Sequence, residues 1–341
     1  MKELFEKFKD LTIAVAGDYC LDEYFWIDAA LNEPSLETGL VAYQCVKTET
    51  FPGAAGTIAK NLAILGVGAV YAVGFVGSDG RGLEMAKGLD KLGINRECLI
   101  AADSRITPAY VKPWLNEGNS TRELNRIDIK NWTPTPPELT DAVMSGLEKH
   151  IGQVDALMIM DQMTEDNCGL ITEGVRGRLA DLARNNPALI VYADSRSRTG
   201  MFRDMIIKGN EFEILRAAFG SGEAAGEYPG YGEKIRQACQ IIHGRTGKPV
   251  VVTLGAQGAF IYDNERGIRI PGRQITGQTD VTGAGDTFSA AFVSALAAGA
   301  DMETAGNIGN IAAAVCVTQI GTSGRVTSAQ ILEAMSTGPI H

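Results

Sequence analysis

At 341 residues, with 45% hydrophobic and 21% charged, the chain has the composition of a soluble globular protein whose core needs no disulfide or structural metal. A formal net charge of −10 argues against a nucleic-acid surface, which gathers Lys and Arg against phosphates. No window reaches about 18 uninterrupted apolar residues, which excludes an ordinary spanning helix, and six scattered cysteines with no C-x-x-C pair suggest neither a zinc site nor a disulfide framework.

The amino-terminal MKELFEKFKD is charged and amphipathic. It has no apolar signal core, so a cytoplasmic protein with no membrane partner is expected. Short apolar runs then recur at residues 11–16 (LTIAVA), 70–76 (VYAVGFV), 157–160 (LMIM), 189–193 (LIVYA) and 250–254 (VVVTL). Continuous runs bounded by Gly, Asp or polar residues read as strands buried on both faces. The segments between them, such as 57–65 and 169–184, have helical length and period. This alternation predicts a single α/β domain over 1–341, a doubly wound, mostly parallel sheet flanked by helices. Ligands bind such sheets beyond the carboxyl ends of the strands. Asp18, Asp22, Asp161, Asp194, Asn210 and Glu213 stand at those ends. Residues 23–50 and 105–130 break the pattern. They alternate polar with apolar residues, as in 41–46 (VAYQCV), and predict a small half-exposed β lid. The Pro-rich stretch 133–137 reads as a connector.

The segment Asp280-Val281-Thr282-Gly283-Ala284-Gly285-Asp286-Thr287-Phe288 carries the most chemistry. Polar residues lead into a Gly-Ala-Gly turn, and an apolar helix follows. Glycines at a helix start let the backbone approach a ligand with its free N–H groups outward. The helix dipole adds roughly half a positive charge there. An anion is thus favoured at residues 283–285, with the Asp286 carboxylate beside it. That pairing suits a carboxylate that takes a proton from a hydroxyl attacking phosphorus.

D-x-x-G-A-G-D-T-F followed by a small-residue helix resembles the carboxy-terminal signature of the ribokinase (PfkB) carbohydrate kinase family. Residues 51–63 (FPGAAGTIAKNLA) resemble its amino-terminal glycine signature, Asn210 and Glu213 its N-x-x-E, and residues 253–258 (TLGAQG) its T-x-G-x-x-G nucleotide loop. Asn310 through Val315 to Gly321 resembles the helix and turn that border adenine. Within the family the likeness runs to the heptose-7-phosphate kinase domain of the ADP-heptose synthesis enzyme. It rests on residues 17–24 (GDYCLDEY), 125–128 (NRID) and 35–46. No H-x-G-H occurs, so no nucleotidyltransferase half is expected.

The resemblance implies an ATP-dependent sugar or sugar-phosphate kinase, a phosphotransferase with an alcohol acceptor and Mg²⁺ as its companion ion. Asp286 is then the base, and Gly283, Ala284 and Gly285 form the anion hole. Asn210 and Glu213 order Mg²⁺ and its waters. Thr253, Gly255, Gly258 and Asn310 border the nucleotide. Asp22, Gly53, Ala54, Thr57, Arg126 and Asp161 face the acceptor, with Arg126 the candidate for a phosphate on it. Asp280 and Thr282 match positions that border a monovalent cation such as K⁺. A homodimer through the lid is also implied. The chain departs from the family pattern at Ala54, in place of the second signature glycine, at Thr57, in place of asparagine, and at Cys20. A threonine hydroxyl cannot reproduce an amide's paired donor and acceptor. Two other readings stay open: a non-catalytic relative that binds nucleotide or sugar, and a kinase for a nucleoside or another alcohol. Dinucleotide oxidoreduction is disfavoured, because no G-x-G-x-x-G follows the first strand.

Overall fold

The computed structural model describes residues 1–220, 231–320 and 324–336. In chain order the strands are β1 (Thr12–Gly17), β2 (Tyr19–Asp28), β3 (Glu33–Pro34), β4 (Val41–Ala42), β5 (Cys45–Ala54), β6 (Ala69–Gly77), β7 (Asn95–Ala102) and β8 (Ala109–Asn116). They continue as β9 (Thr121–Glu123), β10 (Ile127–Ile129), β11 (Ala156–Asp161), β12 (Ile190–Ser195), β13 (Ile206–Asn210), β14 (Val250–Thr253), β15 (Gly258–Asp263) and β16 (Arg266–Pro271). The helices are α1 (Lys2–Glu6), α2 (Ala55–Leu65), α3 (Gly80–Asp90), α4 (Pro137–His150), α5 (Glu173–Asn185), α6 (Glu211–Phe219), α7 (Tyr231–Thr246), α8 (Ala284–Ala297), α9 (Met302–Val317) and α10 (Ser328–Ser336).

The apolar runs become the middle of one large sheet, ordered β16-β15-β14-β13-β12-β11-β1-β6-β7. From β14 to β7 the strands are parallel, and β15 and β16 fold back antiparallel at one edge. Ile13 and Val15 of β1 share one core with Phe288, Phe292 and Val293 of α8. Ala14 and Ala16 point the other way, into a core with Val143 and Met144 of α4 and Val175 and Leu179 of α5. Helices therefore cover both faces, which is why the central strands carry apolar residues without alternation. Fully burying a side chain such as Phe292 contributes roughly 2–3 kcal/mol.

The alternating segments form a second sheet, ordered β10-β8-β2-β5, with β9 also on β8. It is longer than expected, since β2 starts at Tyr19 and β5 ends at Ala54. β8 (AYVKPWLN) shows the period of two directly, every second residue from Ala109 to Leu115 being buried and Tyr110, Lys112 and Trp114 half-buried. Among the described residues no helix is long and apolar enough to cross a membrane.

Candidate active site

A cleft of about 1350 Å³ opens beyond the carboxyl ends of β11–β14, between the main sheet and the second sheet. Its lining brings together Asp22, Ala54, Thr57, Arg126, Asn210, Glu213, Thr253, Gly255, Gly258, Thr282, Gly283, Ala284, Gly285, Asp286 and Asn310. These come from seven separated stretches of chain.

At one wall α8 begins. Gly283 precedes the helix with φ +76°, a left-handed conformation that suits glycine. Asp286 is the third helical residue and is half-buried. Burial pushes its carboxyl up to about 7, with Asp194 adding to the rise and Lys208, Lys60 and Arg196 opposing it. Thr287 ties the turn down, its Oγ1 donating to Gly283 O at 2.9 Å and accepting from Asn61 Nδ2 of α2 at 3.2 Å. In the polar lead-in, Thr282 N donates to Asp280 Oδ1 at 2.9 Å and Asp280 N to Val317 O at 2.8 Å.

Behind the turn, Asn210 and Glu213 cap α6 reciprocally. Glu213 N donates to Asn210 Oδ1 at 2.9 Å and Asn210 N to Glu213 Oε2 at 2.8 Å. Burial and then Asp194 raise the Glu213 carboxyl above its ordinary range. Among the described residues no three His, Cys, Asp or Glu side chains gather to hold a metal. The donors present suit a Mg²⁺ carried in on phosphates, which keeps several waters and takes few protein ligands. Asn310 Nδ2 donates to Pro271 O at 2.8 Å, fixing α9 against the nucleotide-loop side of the cleft. Gly321 lies outside the described residues.

At the opposite wall Asp22 Oδ1 meets Lys112 Nζ at 2.8 Å. Gly53 itself lies beneath that carboxylate rather than on the cleft surface, and a Cβ there would come within 2.8 Å of Asp22 Oδ2. Ala54 has φ +50° and ψ −118°, a backbone state that favours glycine. Thr57 Oγ1 donates to Pro52 O at 3.1 Å, so toward a ligand it can only accept. Arg126 is held in a bidentate pair with Asp128 at 2.6 and 2.8 Å and stacks 5.0 Å from the Tyr110 ring.

Asp161 corrects the expectation that it faces the acceptor. It is 2% exposed, accepts from Ser195 Oγ at 2.7 Å and pairs with Arg198 at 3.2 Å, and so belongs to packed protein behind the cleft. Sequence reasoning missed Lys208, Lys112 and Lys60. Lys208 interrupts the otherwise apolar start of β13, and a charge inside a buried strand was the signal available. Lys60 of α2 is 7% exposed, and burial pushes its ammonium down to about 8.

The fold and the cleft define a ribokinase-like α/β protein. The ribokinase of Arabidopsis thaliana, solved with ribose and ATP, superimposes with a TM-score of 0.71 at 20% identity over 96% of this chain and 99% of that one. Phosphofructokinase-2 from Escherichia coli, solved with potassium, gives 0.71 at 18% identity over 95% and 97%. The pfkB family carbohydrate kinase pattern matches residues 19–329, and the chain belongs to that family. The bifunctional protein HldE of Trichlorobacter lovleyi is 27% identical over 355 residues, 98% of this chain and 65% of that protein. HldE of Bradyrhizobium sp. is 28% identical over 323 residues, 94% and 62%. The chain thus spans less than two thirds of the length of these relatives.

Proposed function

We propose that this chain transfers the γ-phosphoryl of ATP to a hydroxyl of a sugar or sugar phosphate, with Asp286 as the base. One observation carries the reading: the Asp286 carboxyl is pushed up to about 7 and lines the cleft beside the glycine turn at residues 283–285. A base of that strength accepts the acceptor's proton near neutral pH better than an ordinary aspartate. The backbone N–H groups that start α8 gather the negative charge of the transferred group. The wall of Asp22, Thr57 and Arg126 receives the acceptor, and Thr253, Gly255, Gly258 and Asn310 border the nucleotide. Bound Mg²⁺, held near Asn210 and Glu213, supplies charge neutralisation on the phosphates. Asp280 and Thr282, by their match to the family pattern, would border a monovalent cation such as K⁺.

The test is ATP consumption with a panel of sugars, sugar phosphates and nucleosides. Asp286→Asn is expected to lower kcat by about 10³-fold. Wild-type kcat should climb with pH to a plateau above about 7, because the base works only when ionised. ATP consumption that no acceptor stimulates would remove this reading in favour of a non-catalytic binding protein, and turnover surviving in Asp286→Asn would remove Asp286 as the base.

We also infer a homodimer through the lid, where Val46 of β5 and Leu36, Leu40, Val41 and Tyr43 of the short β3–β4 ribbon that leads into it are exposed. Sedimentation velocity should give twice the chain mass, and a strict monomer at micromolar concentration would refute it.

A further inference from the structure

Lys208 is a buried cation in the wall of the cleft, and nothing in the glycine turn's own sequence announces it. It comes from β13, is 6% exposed, and donates to Asp194 Oδ2 of the neighbouring strand β12 at 2.6 Å. Its ammonium lies directly over the start of α8. A Cβ built on Gly285 would come within 3.2 Å of Lys208 Nζ, and no other heavy atom lies within 4 Å of that point apart from Gly285, its chain neighbours and α8's own nearby backbone. Gly285 thus leaves room for a charge as well as for a ligand. Burial acts against the Lys208 charge, but Asp194, Glu213 and Asp286 outweigh it and hold the ammonium protonated.

Resting on the reading of this cleft as a phosphoryl-transfer site, we propose that Lys208 is a further catalytic residue, its ammonium bonding an oxygen of the transferred phosphoryl group above Gly285. Phosphoryl transfer leaves little covalent work to the protein. Charge spread over the three equatorial oxygens is what it stabilises. An ammonium has three N–H donors, and Asp194 takes one. The others are available on the cleft side of the turn, where backbone N–H groups already collect negative charge. The Asp194 contact also fixes the ammonium before substrate arrives, so little reorganisation is required as charge develops. A flexible surface lysine would lack that preorganisation.

The decisive variant removes the pair together, Lys208→Met with Asp194→Asn, because deleting the lysine alone would strand a buried carboxylate. With the panel acceptor that supports wild-type turnover, kcat is expected to fall about 10²–10³-fold, while KM for ATP and for that acceptor stays within about threefold. Binding of Mg·ADP with aluminium fluoride, a mimic of the group in flight, should weaken by a similar factor, while Mg·ADP alone binds as before. A kcat within threefold of wild type would overturn the proposal. So would parallel losses in the affinity for Mg·ADP with and without aluminium fluoride, the mark of a merely structural lysine. Should the double variant not fold, Lys208→Gln is held to the same split. Turnover intact in Asp286→Asn would sink the assignment of the base whatever Lys208 does, so the two failures are distinct.

Discussion

Asp286 and Asp161 are two aspartates beside the same end of the same sheet, and burial lifts both above the ordinary carboxylate range, to about 7 and about 6. Their surroundings differ. Asp161 is 2% exposed, and Ser195 and Arg198 hold its oxygens. Nearby Asp18, also buried, accepts from the backbone N–H groups of Gln162, Met163 and Leu170. Asp286 lines the cleft and lies beside the ammonium already engaged by Asp194. An elevated carboxyl therefore reports desolvation only. Access to a cleft and an oxygen left for substrate make it chemistry.

The contrast breaks if the wrong aspartate fails in the wrong way. Asp161→Asn leaves Arg198 buried without its main counter-charge and should cost about 3 kcal/mol of stability in urea unfolding. The kcat of the molecules that stay folded should remain within about threefold of wild type. A large loss of kcat without destabilisation would move Asp161 into the chemistry. Asp286→Asn has the opposite expected signature, a gain in stability of about 1–2 kcal/mol at pH 8, discounted for cleft water. The sign follows from its raised folded-state value. Between about 4 and 7 the folded protein holds a proton that the unfolded chain has released, so wild-type stability declines as pH rises through that window. The variant's gain should fade as the pH is lowered toward 4, and a gain that persisted there would mean the asparagine acts by packing.

Much of this was legible in the chain. The central strands announce themselves because burial on both faces forbids polar residues, and β8 announces its half-exposure by strict alternation. β13 is harder to see, since Lys208 interrupts Ile206-Ile207 before Asn210. A lysine is tolerated there because carboxylates meet it, chiefly Asp194 on β12, a partnership 14 positions away in sequence. The glycine turn before Asp286 was readable because helix-start geometry is local. The acceptor wall was readable only in part. No local pattern shows that Asp22 is answered by Lys112, 90 residues on, or that the Thr57 hydroxyl is already given to Pro52. Ala54 illustrates the same limit. Its identity departs from the glycine signature, yet the backbone keeps the glycine-favouring conformation at φ +50°, so the helix start is preserved and the departure costs strain instead of shape.

The hydrogen bond from Asn61 to Thr287 gives the cleft its tolerance for error. It staples α2, which begins the acceptor wall, to α8, which begins the donor turn, within the first turn of α8. The two helix starts therefore travel as one block, and the span an attacking oxygen crosses to reach phosphorus is set by that block. Asp22 and Arg126, carried by the second sheet, then orient the acceptor against that block without setting the separation of its two helix starts.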